Sequence, residues 1–276
     1  MSEGCGRWVR GMALAALVAA MAVRGGVVLA AADAGSPTAA ARDVLAKDYA
    51  AAVQAYLDGQ YERAQGLFEG LLAAGWRNGP LYFNLGNTYL QRDSLGEAIR
   101  AYRRAELFMP RDSDLRHNLA LARGQVAEPV GAKGPLYALR SIAFWYDLAT
   151  HRELALATVA AWVVVCAMVA WNVASRSLAS GVAAAVGLGL LGLVGGSWAV
   201  KHYELTRVDA QVVVNGDADA RGGPSAGQAV AFTASEGTEV TVLASEGAYR
   251  RVHRADGREG WIRTDQLAPV RLGDDD

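Results

Sequence analysis

The stretch from Leu81 to Pro110 orders large and small side chains in a way that closely packed helices require. Gly86 and Ala98 remove bulk where two antiparallel helices would cross, and Pro110 cannot continue the second of them. The space around that crossing is filled by three aromatic residues, Tyr82, Tyr89 and Tyr102. The segment therefore predicts a pair of antiparallel helices.

The same spacing recurs on both sides of this pair, at a distance of 34 residues. Counting back from the central pair reaches Ala52, Ala64 and Phe68, and counting forward reaches Leu119 and Ala120. A period of about 34 residues with two helices in each unit is typical of tetratricopeptide repeats, which bind other proteins. The positions that match this repeat are Tyr82, Leu85, Gly86, Tyr89, Ala98, Tyr102, Ala105 and Pro110.

We therefore predict an all-α tetratricopeptide-repeat array of two and a half repeats over residues 42–128. The last repeat lacks its second helix, because a segment containing Pro129, Gly131, Gly134 and Pro135 follows it. About three stacked repeats are usually needed for stability, so the array is expected to lean on the next segment, on the membrane or on a partner. The alternative is an ordinary helical hairpin with accidental spacing.

Residues 1–32 resemble a secretory signal peptide, with a basic start, an apolar core from Met12 to Val23 and small residues near the end. Arg24 interrupts the apolar stretch, which leaves an uncleaved N-terminal anchor or a misassigned start codon as alternatives. Residues 33–41 are rich in alanine and are predicted to be a flexible linker. Export by the signal would place the repeats outside the cytoplasm.

Residues 154–200 contain two apolar runs, Leu154–Ala174 and Leu178–Val200, each long enough to span a bilayer. Only three residues separate them, so we predict a transmembrane helical hairpin whose outer ends lie on the same side. Gly192 with Gly196 places small residues four apart, which favours close helix packing within the hairpin, as does Gly181 with Ala185. Together with the export signal, this predicts a two-span protein of the bacterial inner membrane with its other domains in the periplasm.

Residues 129–153, between the repeats and the hairpin, are predicted to be a linker. Part of it, Leu136–Ala149, carries Trp145 and Tyr146 among apolar and charged residues. Such a segment suits an interfacial helix along the membrane surface. It suits equally a cap packed on the open end of the repeat array.

Short segments of alternating hydrophobicity follow the hairpin, separated by glycine-containing turns. The pattern predicts a small all-β domain, and from Arg221–Ser225 to Gly260–Ile262 it resembles a bacterial SH3-like barrel spanning residues 207–270. Tyr249 and Trp261 are the candidate surface residues of this domain. For Trp261 we favour a position in the core over a position on an exposed binding face.

Composition argues against several classes of function. The net charge of −1 at pH 7 and the interspersed charges give no footprint for nucleic acid. The chain has two cysteines in separate segments and four scattered histidines, and it lacks the sequence motifs of metalloproteases, serine hydrolases and phosphate-binding loops. We therefore expect no enzymatic activity, no cofactor and no metal.

The order of signal, repeats, membrane hairpin and SH3 domain resembles the Bacteroides aerotolerance (Bat) family in its BatE type. The resemblance covers nearly the whole chain, and its most specific parts are Asn84–Asn87, Ala98 with Ile99, Asn118 with Leu119, and Asp256–Trp261. It implies a non-enzymatic membrane protein that works beside von Willebrand-type Bat proteins and a MoxR-type ATPase complex in envelope stress tolerance. The first repeat, in which Asp48 stands where the next repeat has Tyr82, and Arg24 in the signal depart from the family pattern.

The repeat register also predicts a partner-binding groove. Asn84 and Asn118 lie 34 residues apart at the same first-helix position, and Phe83 and His117 precede them. Related repeats use an asparagine here to hydrogen-bond a peptide backbone, so Phe83, Asn84, Asn87, His117 and Asn118 are the candidate partner-binding residues. The alternative is that both asparagines merely cap neighbouring backbone turns.

The function expected from this architecture is a membrane-anchored scaffold that holds protein partners through its groove and its SH3-like domain. The rival is a cell-wall anchor or sensor whose SH3-like domain binds peptidoglycan. A third hypothesis is regulation of a wall hydrolase carried by another chain.

Overall fold

The computed structural model describes residues 39–127 and 144–272. The predicted signal segment lies outside the described residues, as do residues 33–38 of the predicted linker and residues 128–143 of the segment between repeats and hairpin. The described chain forms two compact units, one containing residues 151–202 and the other containing residues 39–150 with the C-terminal region from residue 203.

The second unit begins with five helices, which we call the array. They are α1 (Ala39–Leu57), α2 (Tyr61–Ala73), α3 (Gly79–Gln91), α4 (Leu95–Phe108) and α5 (Ser113–Gln125). Two of them begin at side-chain caps, because the carboxamide of Asn78 accepts from the Leu81 N–H and the carboxylate of Asp112 accepts from the Leu115 N–H, each at 2.8 Å. The first helix starts at Ala39, within the segment expected to be a linker.

The packing predicted around Gly86 is confirmed. A Cβ atom at Gly86 would lie 2.6 Å from ring carbons of Tyr102, so only glycine lets α3 approach the ring this closely. Tyr82, Ala98 and Tyr102 are all buried. Burial also raises the pKa of the Tyr102 phenol above its ordinary value, so its hydroxyl stays a neutral donor. The array therefore has a continuous core at the crossing of α3 and α4.

The hairpin consists of α7 (His151–Ser175) and α8 (Leu178–Arg207), preceded by the short α6 (Phe144–Leu148). Both long helices are apolar enough to cross a membrane, by length and composition. Both also extend beyond the apolar runs from which they were predicted. Arg176 turns the chain between them with a φ of 50°.

The structure corrects the prediction that Gly192 and Gly196 pack the two helices of this hairpin together. A Cβ atom at Gly192 or Gly196 would meet no described neighbour within 4 Å outside its own helical turn. The close approach to α7 is made instead at Gly187, where a Cβ would lie 3.0 Å from Met168 Sδ, and near Gly195. Small residues recur along α8. Gly187 and Gly195, which face α7, are not the pair predicted from its four-residue spacing, Gly192 and Gly196.

The second unit ends in a seven-stranded antiparallel sheet. The strands are β1 (Asp209–Val213), β2 (Ala218–Arg221), β3 (Val230–Ala234), β4 (Glu239–Glu246), β5 (Tyr249–Arg254), β6 (Glu259–Arg263) and β7 (Leu267–Pro269). Their order in the sheet is β3-β2-β6-β5-β4-β1-β7. The core of the sheet contains Val213, Phe232, Val252 and Ile262.

The array and the sheet pack against each other. Val212 of β1 is fully buried, and together with Val270 it belongs to the apolar core of the helices instead of the core of the sheet. Alternate residues of a strand face opposite sides, so β1 presents Val213 to the sheet core and Val212 to the helices. The array was expected to lean on the next segment, on the membrane or on a partner, and within the described residues it leans instead on the C-terminal sheet, which the sequence analysis had not named.

Candidate binding surfaces

The first surface lies on α1, α3 and α5, at positions related by the 34-residue spacing. One row is formed by Tyr49, Phe83 and His117, and a second row, four residues further along each helix, is formed by Val53, Asn87 and Leu121. Residues four apart share one face of a helix, so we call these six residues the two-row face. None of the six is buried, and Leu121 is 51% exposed.

The two-row face contains no carboxylate, lysine or arginine. Its central helix, α3, carries no charged residue from Gly79 to Gln91. An ionic clamp for a peptide terminus is therefore missing from these six positions. The face offers aromatic, aliphatic and amide groups, which suit an uncharged segment.

Both candidate asparagines are hydrogen-bonded within the array. Asn84 Nδ2 donates to the Tyr49 hydroxyl at 2.6 Å, and Asn118 Nδ2 donates to Asn87 Oδ1 at 2.9 Å. The Tyr102 hydroxyl also donates to Asn87 Oδ1, at 2.7 Å. These bonds join side chains of different helices and do not cap backbone turns. Each of these amide nitrogens carries a second hydrogen that could serve a peptide, so the predicted peptide-binding role of Asn84 and Asn118 stays a prediction.

The sequence analysis missed three members of this surface, Tyr49, Val53 and Leu121. Subtracting 34 from Phe83 and from Asn87 identifies the first two, and adding 34 to Asn87 identifies the third. Burial raises the pKa of Tyr49, while the bond from Asn84 lowers it by a smaller amount. Its ring also packs edge-on against Trp76 at a centroid distance of 5.5 Å. Tyr49 thus holds Asn84 while remaining half-buried on the two-row face.

The second surface is the outer face of the sheet. Gly260 and Ile262 of β6 are buried, so the residue between them, Trp261, points outward and is half-buried. The preference for Trp261 in the core was therefore wrong, and the alternative of an outward position is correct. Its direct cross-strand neighbours are Arg221 of β2 and Arg251 of β5.

Tyr249 lies on the same outer face, opposite Arg263 and diagonal to Trp261. The arginines around these two rings are paired with acids: Arg251 with Glu259 at 2.6 Å and Arg263 with Asp265 at 2.5 Å. The face thus combines two aromatic rings with compensated charges. Because these arginines are already paired with acids, the face suits a neutral polar ligand better than an anion.

Residues 215–269, which include this outer face, match a known protein family. That family is the bacterial SH3 domain. The match covers the SH3 domain from the turn after β1 to the end of β7, and it leaves β1 outside. Comparison with curated proteins and with solved structures gave no match.

The SH3 domain also contains a third set of contacts that the sequence analysis missed, in the loop between β3 and β4. Glu236 of this loop accepts a hydrogen bond from the backbone N–H of Gly96 in α4, at 2.9 Å. Glu239, the first residue of β4, pairs with Arg103 at 3.0 Å and with Arg123 at 2.6 Å. Nothing in local sequence indicates these pairs, because their members lie more than a hundred positions apart.

Proposed function

We propose that this chain is a membrane-anchored protein-interaction scaffold. The observation that carries the proposal is the two-row face, which lacks acidic and basic side chains, has no fully buried member and is built from equivalent positions on three helices. The sequence resemblance to tetratricopeptide repeats supports the same role, and so does the bacterial SH3 domain, a class of module that binds protein or peptidoglycan. The scaffold has no catalytic chemistry of its own.

The resemblance to the Bat family suggests the partners. They would be von Willebrand-type Bat proteins and a MoxR-type ATPase complex, held at the inner membrane in envelope stress tolerance. The two apolar helices and the signal-like start support a periplasmic position for the array and the SH3 domain. Because the two-row face lacks an ionic clamp, the ligand is an internal, uncharged peptide segment.

The test of the scaffold function adds a charge to the two-row face. Leu121→Glu places a carboxylate among apolar groups, where a bound partner would desolvate it, so we expect partner recovery to fall about tenfold or more. The measurement is co-purification of the full-length protein with the Bat proteins from detergent-solubilised membranes. Ala120→Glu is the matched control, since Ala120 is also exposed on α5 and lies outside both rows. Equal recovery with both variants would remove the two-row face from the mechanism.

A second candidate function is favoured by the aromatic pair on the SH3 domain. We propose, as the alternative, that the Trp261 and Tyr249 face binds peptidoglycan and that the chain is a cell-wall anchor or sensor. Aromatic rings that remain half-exposed on a small domain are suited to stacking against a ligand.

The alternative is tested by sedimentation of the full-length protein in detergent with purified wall sacculi. Trp261→Ala should abolish most co-sedimentation if the outer face binds the wall, because a central aromatic residue typically dominates such a contact. Leu243→Ala changes a residue of β4 that is 51% exposed and serves as the control. Failure of the unchanged protein to sediment would leave the scaffold proposal standing alone.

A further inference from the structure

The loop at residues 236–239 touches both of the last two helices of the array, and we call it the clamp loop. We propose that the clamp loop positions α5, so that the SH3 domain controls the shape of the two-row face. This inference concerns the coupling between the two modules and does not require that the ligand be known. It follows from three kinds of contact, each supplied by a different residue of the loop.

The first contact is a helix cap. The backbone N–H groups at the start of a helix have no partner within the helix and need an acceptor. Ser94 occupies the N-cap position of α4, but its side chain makes no capping hydrogen bond. Glu236 supplies the acceptor for Gly96 instead, at 2.9 Å, and its negative charge also suits the positive end of the helix dipole.

The second contact is a close approach at two glycines. Gly237 adopts a φ of +86°, and a Cβ there would lie 2.8 Å from Ile99 Cδ1 of α4 and 3.0 Å from Val126 Cγ2 just after α5. On the helix side, a Cβ at Gly96 would lie 2.3 Å from the carbonyl oxygen of Val213. A methyl group added at Gly237 would therefore have to displace the side chains of Ile99 and Val126, and one added at Gly96 would meet backbone.

The third contact is an ionic bridge. The two carboxylate oxygens of Glu239 pair with Arg103 of α4 and Arg123 of α5, respectively. Burial by itself lowers the pKa of Arg103, but Glu239 and Glu106 raise it by more, so the guanidinium is held in its charged form. A single side chain of the SH3 domain thus ties the two helices to each other.

The position of α5 matters because this helix supplies one third of the two-row face. His117 and Leu121 lie on it, and Asn118 connects it to Asn87 of α3. Among the described residues no second helix follows α5 to complete a pair. The clamp loop therefore holds α5 at the place where a paired helix would otherwise pack against it.

The test uses two glycine substitutions that impose the same backbone strain. Gly237→Ala and Gly216→Ala both place alanine at a φ of +86°, but a Cβ at Gly216 would meet nothing within 4 Å. The difference between the variants therefore isolates the contact with the helices. The measurement is hydrogen exchange of peptides from α1, α5 and the sheet in the full-length protein in detergent.

We expect Gly237→Ala to accelerate exchange in α5 by about tenfold or more, since overpacking at a fixed contact has effects of that size. Gly216→Ala should leave exchange in α5 unchanged. Exchange in α1, which the clamp loop does not touch, should change little in either variant. If Gly237→Ala unfolds the SH3 domain, loss of protection in α5 at the same time supports the coupling, and full protection in α5 overturns it.

A second pair of variants separates positioning from general damage. Glu236→Gln keeps an oxygen acceptor for the Gly96 N–H, whereas Glu236→Ala removes it. Exchange at the start of α4 should rise with Glu236→Ala and be restored toward the unchanged protein with Glu236→Gln. Equal exchange in both variants, or in Gly237→Ala and Gly216→Ala, would contradict the role assigned to the clamp loop.

Discussion

Replacing Tyr102 by alanine is expected to lower the free energy of unfolding of the array by about 3 to 5 kcal/mol, the usual cost of removing a buried aromatic ring. Tyr102 is fully buried, its ring fills the space that Gly86 leaves open, and it packs beside Phe83 at a centroid distance of 6.1 Å. Since α3 and α4 meet at this ring, the cavity would lie at the centre of the array. Hydrogen exchange of α3 and α4 in the full-length protein would measure the loss.

The control for this prediction is Tyr102→Phe, which keeps the ring and removes only the hydroxyl. That hydroxyl donates to Asn87 Oδ1 at 2.7 Å, and its loss should cost about 1 kcal/mol. The ratio between the two variants therefore distinguishes packing from hydrogen bonding. Similar losses for the two variants would mean that the ring does not stabilise the crossing of α3 and α4.

The second large effect is expected at Arg104, which is buried in α4 with only 3% of its surface exposed. Its guanidinium donates to the backbone carbonyl oxygens of Pro269, Val270 and Arg271, at 3.2 to 3.3 Å, and lies over the ring of Tyr82. Arg104→Ala would remove this donor from the carbonyl oxygens of Val270 and Arg271 and open a cavity beside the ring, while Pro269 keeps a second donor. We expect a loss of about 2 to 4 kcal/mol, measured as faster exchange in α4 and β7 together.

Arg100 provides the comparison, because it lies one turn earlier on α4 and donates to the same Pro269 carbonyl oxygen at 3.0 Å. Arg100 is only half-buried, so Arg100→Ala should cost about 1 kcal/mol or less. Arg104→Lys tests the geometry further, since an ammonium group cannot reproduce the planar fork of a guanidinium. If Arg104→Ala cost no more than Arg100→Ala, the three carbonyl contacts would not be what fastens β7 to the helices.

Local patterns predicted the parts of this fold that depend on local packing. Gly86 and Tyr102 are sixteen positions apart and meet through one turn, so the spacing of large and small residues was sufficient. In β6 the strict alternation of a strand places Gly260 and Ile262 on one side and Trp261 on the other. This alternation along β6 would have predicted the outward position of Trp261 from the sequence.

Sequence patterns were insufficient where several equivalent choices existed or where partners were distant. The helix α8 carries small residues on more than one face, and only the position of α7 decides that Gly187 packs while Gly192 and Gly196 do not. The contacts of the clamp loop join residues 140 positions apart in the case of Gly96 and Glu236. No periodicity within the helices or within the strands encodes such a pairing.

The distance along the chain between α4 and the clamp loop also sets an order of events during synthesis. At roughly 5 to 20 residues per second, the ribosome needs roughly 7 to 28 seconds to add the 140 residues that separate Gly96 from Glu236. Both long apolar helices are made within that interval, and Ile99 and Val126 have no SH3 domain to cover them until it ends. The newly made array therefore passes through a stage with an exposed apolar end, at which a chaperone would bind most effectively.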